Sequence, residues 1–75
     1  MDITLENGGE QVFVRNLPYG TEAGHIRTLQ SELEDIGAPS SFTLAVDGRG
    51  VEDNTPLTGG CTVTFRPKDG GKGAR

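Results

Sequence analysis

Few side chains in this sequence could do covalent or acid–base chemistry, and they stand apart from one another. There is one cysteine, Cys61, and one histidine, His25. Cys61 shares strand parity with Val63 and Phe65, which points to a small buried apolar side chain rather than a nucleophile. His25 lies beside Arg27 in the first turns of a helical pattern, with no serine or cysteine at motif spacing, and reads as a surface polar residue. Glu32, Glu34 and Asp35, with the pair Glu52 and Asp53, could suggest a divalent cation. A solvated acidic face that a basic partner could read fits them better, and neither a metal nor a cofactor is expected. What remains is backbone: the pair Gly70-Gly71, followed by Lys72, Gly73, Ala74 and Arg75. Two residues without Cβ can enter a narrow channel and adopt backbone angles closed to others. Such a pair near a chain end is also what a flexible end looks like.

A small domain must carry these groups. The chain has 75 residues, 32% of them hydrophobic and 24% charged. That suffices for one core and excludes a large enzyme with a deep cleft. A single cysteine excludes an internal disulfide framework and a Cys-based zinc site. No apolar run reaches the length of a signal peptide or membrane span, so a reduced, cytoplasmic setting without a membrane partner is expected. Charge is unevenly spread around the net value of −4. Arg66, Lys68, Lys72 and Arg75 with Asp69 make the last ten positions +3, whereas three basic and ten acidic residues leave positions 1–65 at −7. An acidic body argues against nucleic acid, which needs a basic face to neutralise phosphates.

Periodicity supplies the elements. Ile3 and Leu5 alternate with polar residues, as do Val12 and Val14, and Asn7-Gly8-Gly9 between them predicts a hairpin. Leu17-Pro18-Tyr19-Gly20 stops the second strand. One helix follows, with Thr21 as N-cap and Glu22 in the first turn. Ile26, Leu29, Leu33 and Ile36 form its apolar stripe, Gly37 its stop, and Pro39 forbids a restart. Phe42, Leu44 and Val46 predict a third strand, Asp47-Gly48 a turn, and Val51 the centre of a short strand. Cys61, Val63 and Phe65 form the last strand, ended by Pro67. The fold class is therefore α+β, a mixed sheet with one helix packed across it. With the last strand parallel to the first in mid-sheet, that arrangement is a β-grasp. The domain is expected over 1–67 and a flexible tail over 68–75.

Two stretches carry a resemblance. The run Asp47-Gly48-Arg49-Gly50-Val51-Glu52-Asp53-Asn54-Thr55-Pro56-Leu57 resembles the segment of ubiquitin-like proteins that turns out of the third strand. Gly59, Val63, Phe65 and Pro67, leading to Gly70-Gly71, resemble the small sulfur carriers of the molybdopterin-synthase and thiamin pathways. This resemblance implies a ubiquitin-like modifier or MoaD/ThiS-type sulfur carrier that is not itself an enzyme. Its Gly70-Gly71 terminus would be adenylated by an activating enzyme, with ATP bound by that partner. The product would then be conjugated to a target protein through a conjugating enzyme, or converted to a thiocarboxylate for a sulfur-accepting enzyme. Arg66, Pro67, Lys68 and Asp69 would be the segment the partner grips.

Two departures qualify the carry-over. Sulfur carriers end at their Gly-Gly, whereas this chain continues through Lys72, Gly73, Ala74 and Arg75, which implies a precursor trimmed by a processing protease. Ala45 and Arg66 fall at or near two positions of ubiquitin's apolar recognition patch, so ubiquitin's binding partners are not implied. Arg49 occupies the position resembling ubiquitin's main chain-forming lysine and is, with Phe13, a candidate surface contact. A non-conjugated β-grasp interaction domain is the alternative from another functional class.

A second resemblance competes. Val12-Phe13-Val14-Arg15-Asn16-Leu17-Pro18-Tyr19 resembles the first ribonucleoprotein strand of an RNA-recognition motif, where an exposed aromatic stacks on a base. The chain lacks that fold's second helix and fourth strand, and Cys61-Thr62-Val63-Thr64-Phe65 offers only one aromatic. Phe13 is read instead as an exposed strand aromatic at a protein contact.

Overall fold

The structure is a computed structural model that describes residues 1–68. It contains β1 (Ile3–Asn7), β2 (Glu10–Val14), a 3-10 helix (Ala23–Thr28), α1 (Gln30–Asp35), β3 (Phe42–Val46), β4 (Arg49–Val51) and β5 (Thr62–Pro67). The five strands form one sheet in the order β2-β1-β5-β3-β4. All neighbours are antiparallel except the central β1–β5 pair, which is parallel with Leu5 opposite Val63. This is the β-grasp arrangement that the order of elements permitted.

Both hairpins follow from turn chemistry. Asn7 pairs with Glu10 across Gly8 and Gly9, whose φ values of 58° and 92° suit a two-residue turn matched to strand twist. Val46 pairs with Arg49 across Asp47 and Gly48 in the same way, with φ values of 50° and 89°. Asp47 helps to fix its own turn, because its Oδ1 accepts from the Thr62 N–H at 3.0 Å.

The helical segment differs from the single helix that the stripe predicted. It is a 3-10 helix and a short α-helix, broken at Leu29, whose φ and ψ are −87° and 68°. The break has a tertiary cause. The Ala23 and Gly24 N–H groups donate to Thr55 O and Asp53 O at 2.8 Å, and the Leu57 N–H donates to Thr21 O at 2.8 Å. The connector after β4 thus clamps the first turn, and the chain must readjust at Leu29 to keep Ile36 on the core. Thr21 is not the N-cap. Its hydroxyl donates to Pro18 O at 2.6 Å, and Glu22 precedes the 3-10 helix in extended backbone with no side-chain cap. The stripe splits accordingly: Ile26 and Ile36 are buried, while Leu29 and Leu33 are only partly so.

The stop at Gly37 is as expected. Gly37 has φ 64°, its N–H donates to Glu34 O at 3.1 Å, and the Ala38 N–H donates to Leu33 O at 2.9 Å. That bond pair is a Schellman motif. The Asn7 side chain adds two bonds of 3.0 Å to Ile36 O and Gly37 O, tying the first hairpin to the helix end.

The core lies between the helical segment and one face of the sheet. Ile3, Leu5, Ile26, Leu44 and Val63 are its largest fully buried side chains. Each contributes roughly 1.5–3 kcal/mol through burial. Among the described residues no helix is long and apolar enough to cross a membrane.

Candidate functional site at the root of the tail

The site is where β5 leaves the sheet. Strand alternation places Phe65 in the core and Arg66 on the opposite face. Phe65 meets the Phe42 ring edge-on, with centroids 4.9 Å apart and planes at 88°. Pro67 pairs with Phe42, and one residue further the Lys68 N–H donates to Ser41 O at 3.0 Å. That bond makes Phe42–Pro67 a non-hydrogen-bonded pair, so the missing proline N–H deprives the ladder of nothing. Arg66, Pro67 and Lys68 are all exposed. The strand end is therefore paired with β3 through its backbone and open to solvent through its last three residues. Asp69, Gly70, Gly71, Lys72, Gly73, Ala74 and Arg75 lie outside the described residues.

A polar junction supports this root. The Arg27 Nε donates to Asp53 Oδ2 at 2.8 Å and Nη2 donates to Asp53 Oδ1 at 3.0 Å, a two-pronged ion pair. The third prong, Nη1, donates to Phe42 O at 3.0 Å, and the guanidinium carbon sits 4.8 Å from the Phe42 ring centroid. Hydrogen bonding from Arg27 holds the Asp53 carboxyl below its ordinary range, and the positive charges of Arg27 and Lys68 act in the same direction. The same bond raises Arg27. Beside the junction lies an open cleft of about 370 Å³, lined by Arg27, Leu33, Ala38, Pro39, Ser40 and Phe42 among others.

The other expected residues fall outside this junction. Arg66 reaches across the outer face toward Gly48 O at 3.4 Å, and Arg49 is exposed on β4. Ala45 is fully buried and offers no side chain to a partner. Phe13 is 59% exposed on the edge strand β2. His25 is exposed and Cys61 is buried, both as expected. Of the acidic residues, Glu34, Asp35, Glu52 and Asp53 are exposed and Glu32 is half-buried. Among the described residues none of the His, Cys, Asp and Glu side chains gather in threes to hold a metal.

Arg27, Phe42 and Asp53 were not legible as a unit. They come from three elements, and Asp53 reads in the sequence as half of an acidic pair. The one local hint is Gly24. A Cβ there would stand 3.0 Å from Asp53 Cβ, so the helix start and the connector touch backbone to backbone.

No family model and no curated protein matches the chain. It is similar to a chain of a solved protein–protein complex of subunits 1 and 2 of molybdopterin-converting factor from Helicobacter pylori 26695. The TM-score is 0.60 at 21% identity, and the match covers 89% of this chain and 93% of that one. The likeness runs over nearly the whole of both chains and establishes the ubiquitin-like β-grasp fold.

Proposed function

We propose that this β-grasp chain is the precursor of a ubiquitin-like modifier or sulfur carrier, with residues 1–67 as the handle and 68–75 as the substrate. The observation that carries this reading is the end of β5. An exposed Arg66-Pro67-Lys68 strand end leads directly toward Gly70-Gly71, on a domain with no nucleophile–base pair among its described residues. The solved neighbour belongs to a two-protein complex, which suits a chain that acts through protein partners.

The chemistry runs at the tail. A processing protease hydrolyses the Gly71–Lys72 peptide bond, which releases the extension Lys72, Gly73, Ala74 and Arg75 and leaves a Gly71 carboxylate. An oxygen of that carboxylate attacks the α-phosphate of ATP held by an activating enzyme, and pyrophosphate departs. The acyl carbon of the adenylate then takes a nucleophile and releases AMP. A target amine, reached directly or through an enzyme thiol, gives an amide. A sulfide donor gives a thiocarboxylate for a sulfur-accepting enzyme. Glycine at both positions lets the terminus enter the narrow nucleotide site. Arg66, Pro67, Lys68 and Asp69 are the segment held outside it, and ATP is the partner's cofactor rather than this chain's.

The test compares chains ending at Gly71, at Arg75, and at alanine in place of Gly71. Each is assayed for ATP–pyrophosphate exchange with adenylating enzymes from the cell that makes it. Exchange is expected only with the chain ending at Gly71. Equal exchange by all three, or none by any, overturns the reading and leaves the non-conjugated interaction domain.

A further inference from the structure

We infer that Arg27 is a positioning residue for the root of the tail, completing the sheet at the point where β5 ends and so fixing the last paired residues up to Lys68. Because the Lys68 N–H donates to Ser41 O, Phe42 and Pro67 are a non-hydrogen-bonded pair, and the Phe42 carbonyl points away from β5. On that side its strand neighbour should be β4. But β4 pairs only with Leu44, Ala45 and Val46 and stops short of Phe42. Arg27 Nη1 occupies the vacated position and donates to Phe42 O at 3.0 Å, as a strand N–H would.

The rest of the side chain is fixed so that it can do this. Asp53 holds Nε and Nη2 at 2.8 and 3.0 Å, and the guanidinium lies 4.8 Å from the Phe42 ring centroid. Asp53 is itself fixed, since its carbonyl accepts from the Gly24 N–H at 2.8 Å and a Cβ at Gly24 would press on it at 3.0 Å. One side chain thus joins the 3-10 helix, the connector after β4 and the start of β3, against which the last residues of β5 pair. Arg27 and Asp53 lie at the surface, with side chains 39% and 56% exposed. Their removal should loosen the root without opening the core.

The importance of this geometry for activation rests on the function proposed above, whereas the geometry itself can be tested alone. Amide hydrogen exchange is measured by NMR in the full chain and in Arg27→Met, Arg27→Lys and Asp53→Asn. Two amides are compared: Lys68, bonded to Ser41 O, and Thr4, bonded to Cys61 O at the other end of β5. In Arg27→Met the Lys68 amide should exchange about tenfold faster while Thr4 changes less than about twofold. Arg27→Lys and Asp53→Asn, which keep a donor for Phe42 O, should fall between. If Lys68 is unchanged, or Lys68 and Thr4 accelerate together, Arg27 does not position the root. In chains ending at Gly71, Arg27→Met should raise the KM for adenylation and leave kcat unchanged. A changed exchange pattern with an unchanged KM would overturn the role in capture. If no enzyme adenylates the unsubstituted chain, the activation reading fails while the exchange result stands.

Discussion

Ile26 and Leu33 sit on opposite sides of the break at Leu29, and alanine at each site measures what the break does to packing. Ile26 has no solvent exposure, and Ile26→Ala removes three carbons from the core. At roughly 0.8 kcal/mol per buried methylene, transfer alone costs about 2.4 kcal/mol. A partly collapsed cavity adds about 1 kcal/mol, giving roughly 3–4 kcal/mol. Leu33→Ala also removes three carbons, but Leu33 is half-buried and lines the open cleft. Most of the transfer term but little cavity term applies there, for roughly 1.5–2 kcal/mol. A single continuous helix would centre Leu33 on the sheet and give both substitutions about 2–5 kcal/mol. Total stability for a chain this size is on the order of 4–11 kcal/mol, so Ile26→Ala should remove a large share of it. Urea unfolding followed by far-ultraviolet circular dichroism is the assay. Fluorescence would report little, because the chain has no tryptophan and its one tyrosine, Tyr19, is 87% exposed. A loss from Leu33→Ala equal to or greater than that from Ile26→Ala would refute the broken helix.

Gly24→Ala places a Cβ 3.0 Å from Asp53 Cβ and should cost roughly 1–2 kcal/mol, whereas Gly59→Ala, with its nearest contact at 3.5 Å, should be close to neutral; equal melting temperatures for the two would contradict the tight contact. The Asp53 carboxyl is held below its ordinary value by Arg27, so its contribution to stability is complete above the unfolded carboxylate range and is lost as pH falls through the depressed folded value. Asp53→Asn should lack that part of the acid dependence, and identical pH–stability profiles would sink the assignment. Attachment to targets should occur as single units, since the only lysines are Lys68, at the gripped root, and Lys72, in the extension. Arg49 stays protonated and accepts no acyl group. Abundant Gly71–Lys68 linkages between copies, found after digestion of reaction products, would show this to be wrong.

Local chemistry made the strands and turns readable. Gly8-Gly9 and Asp47-Gly48 announce two-residue turns, and the alternation through Phe42, Leu44 and Val46 and through Cys61, Val63 and Phe65 marks the core face. Gly37 announces its helix stop for the same reason: the residue's backbone freedom is a property of that position alone. The break at Leu29 is different. It comes from bonds that Ala23 and Gly24 make with residues about thirty positions away, and no pattern within the helical segment records them. The Thr21 hydroxyl had two outlets, a cap or a turn, and only the path of the chain through Pro18 decides between them. In the site, the approach of β5 through Arg66 and Pro67 was legible, but its support was not. Arg27 matters because β4 ends two residue pairs short of Phe42, which only the register reveals.

Whether the chain works through a carboxylate at Gly71 can be read from the intact mass of the protein recovered from the cells that make it. A species ending at Gly71 is expected, accompanied by a thiocarboxylate form or by amide adducts through Gly71. Recovery of only the full chain, still carrying Lys72 to Arg75 and without adducts under conditions where its partners are active, would contradict it.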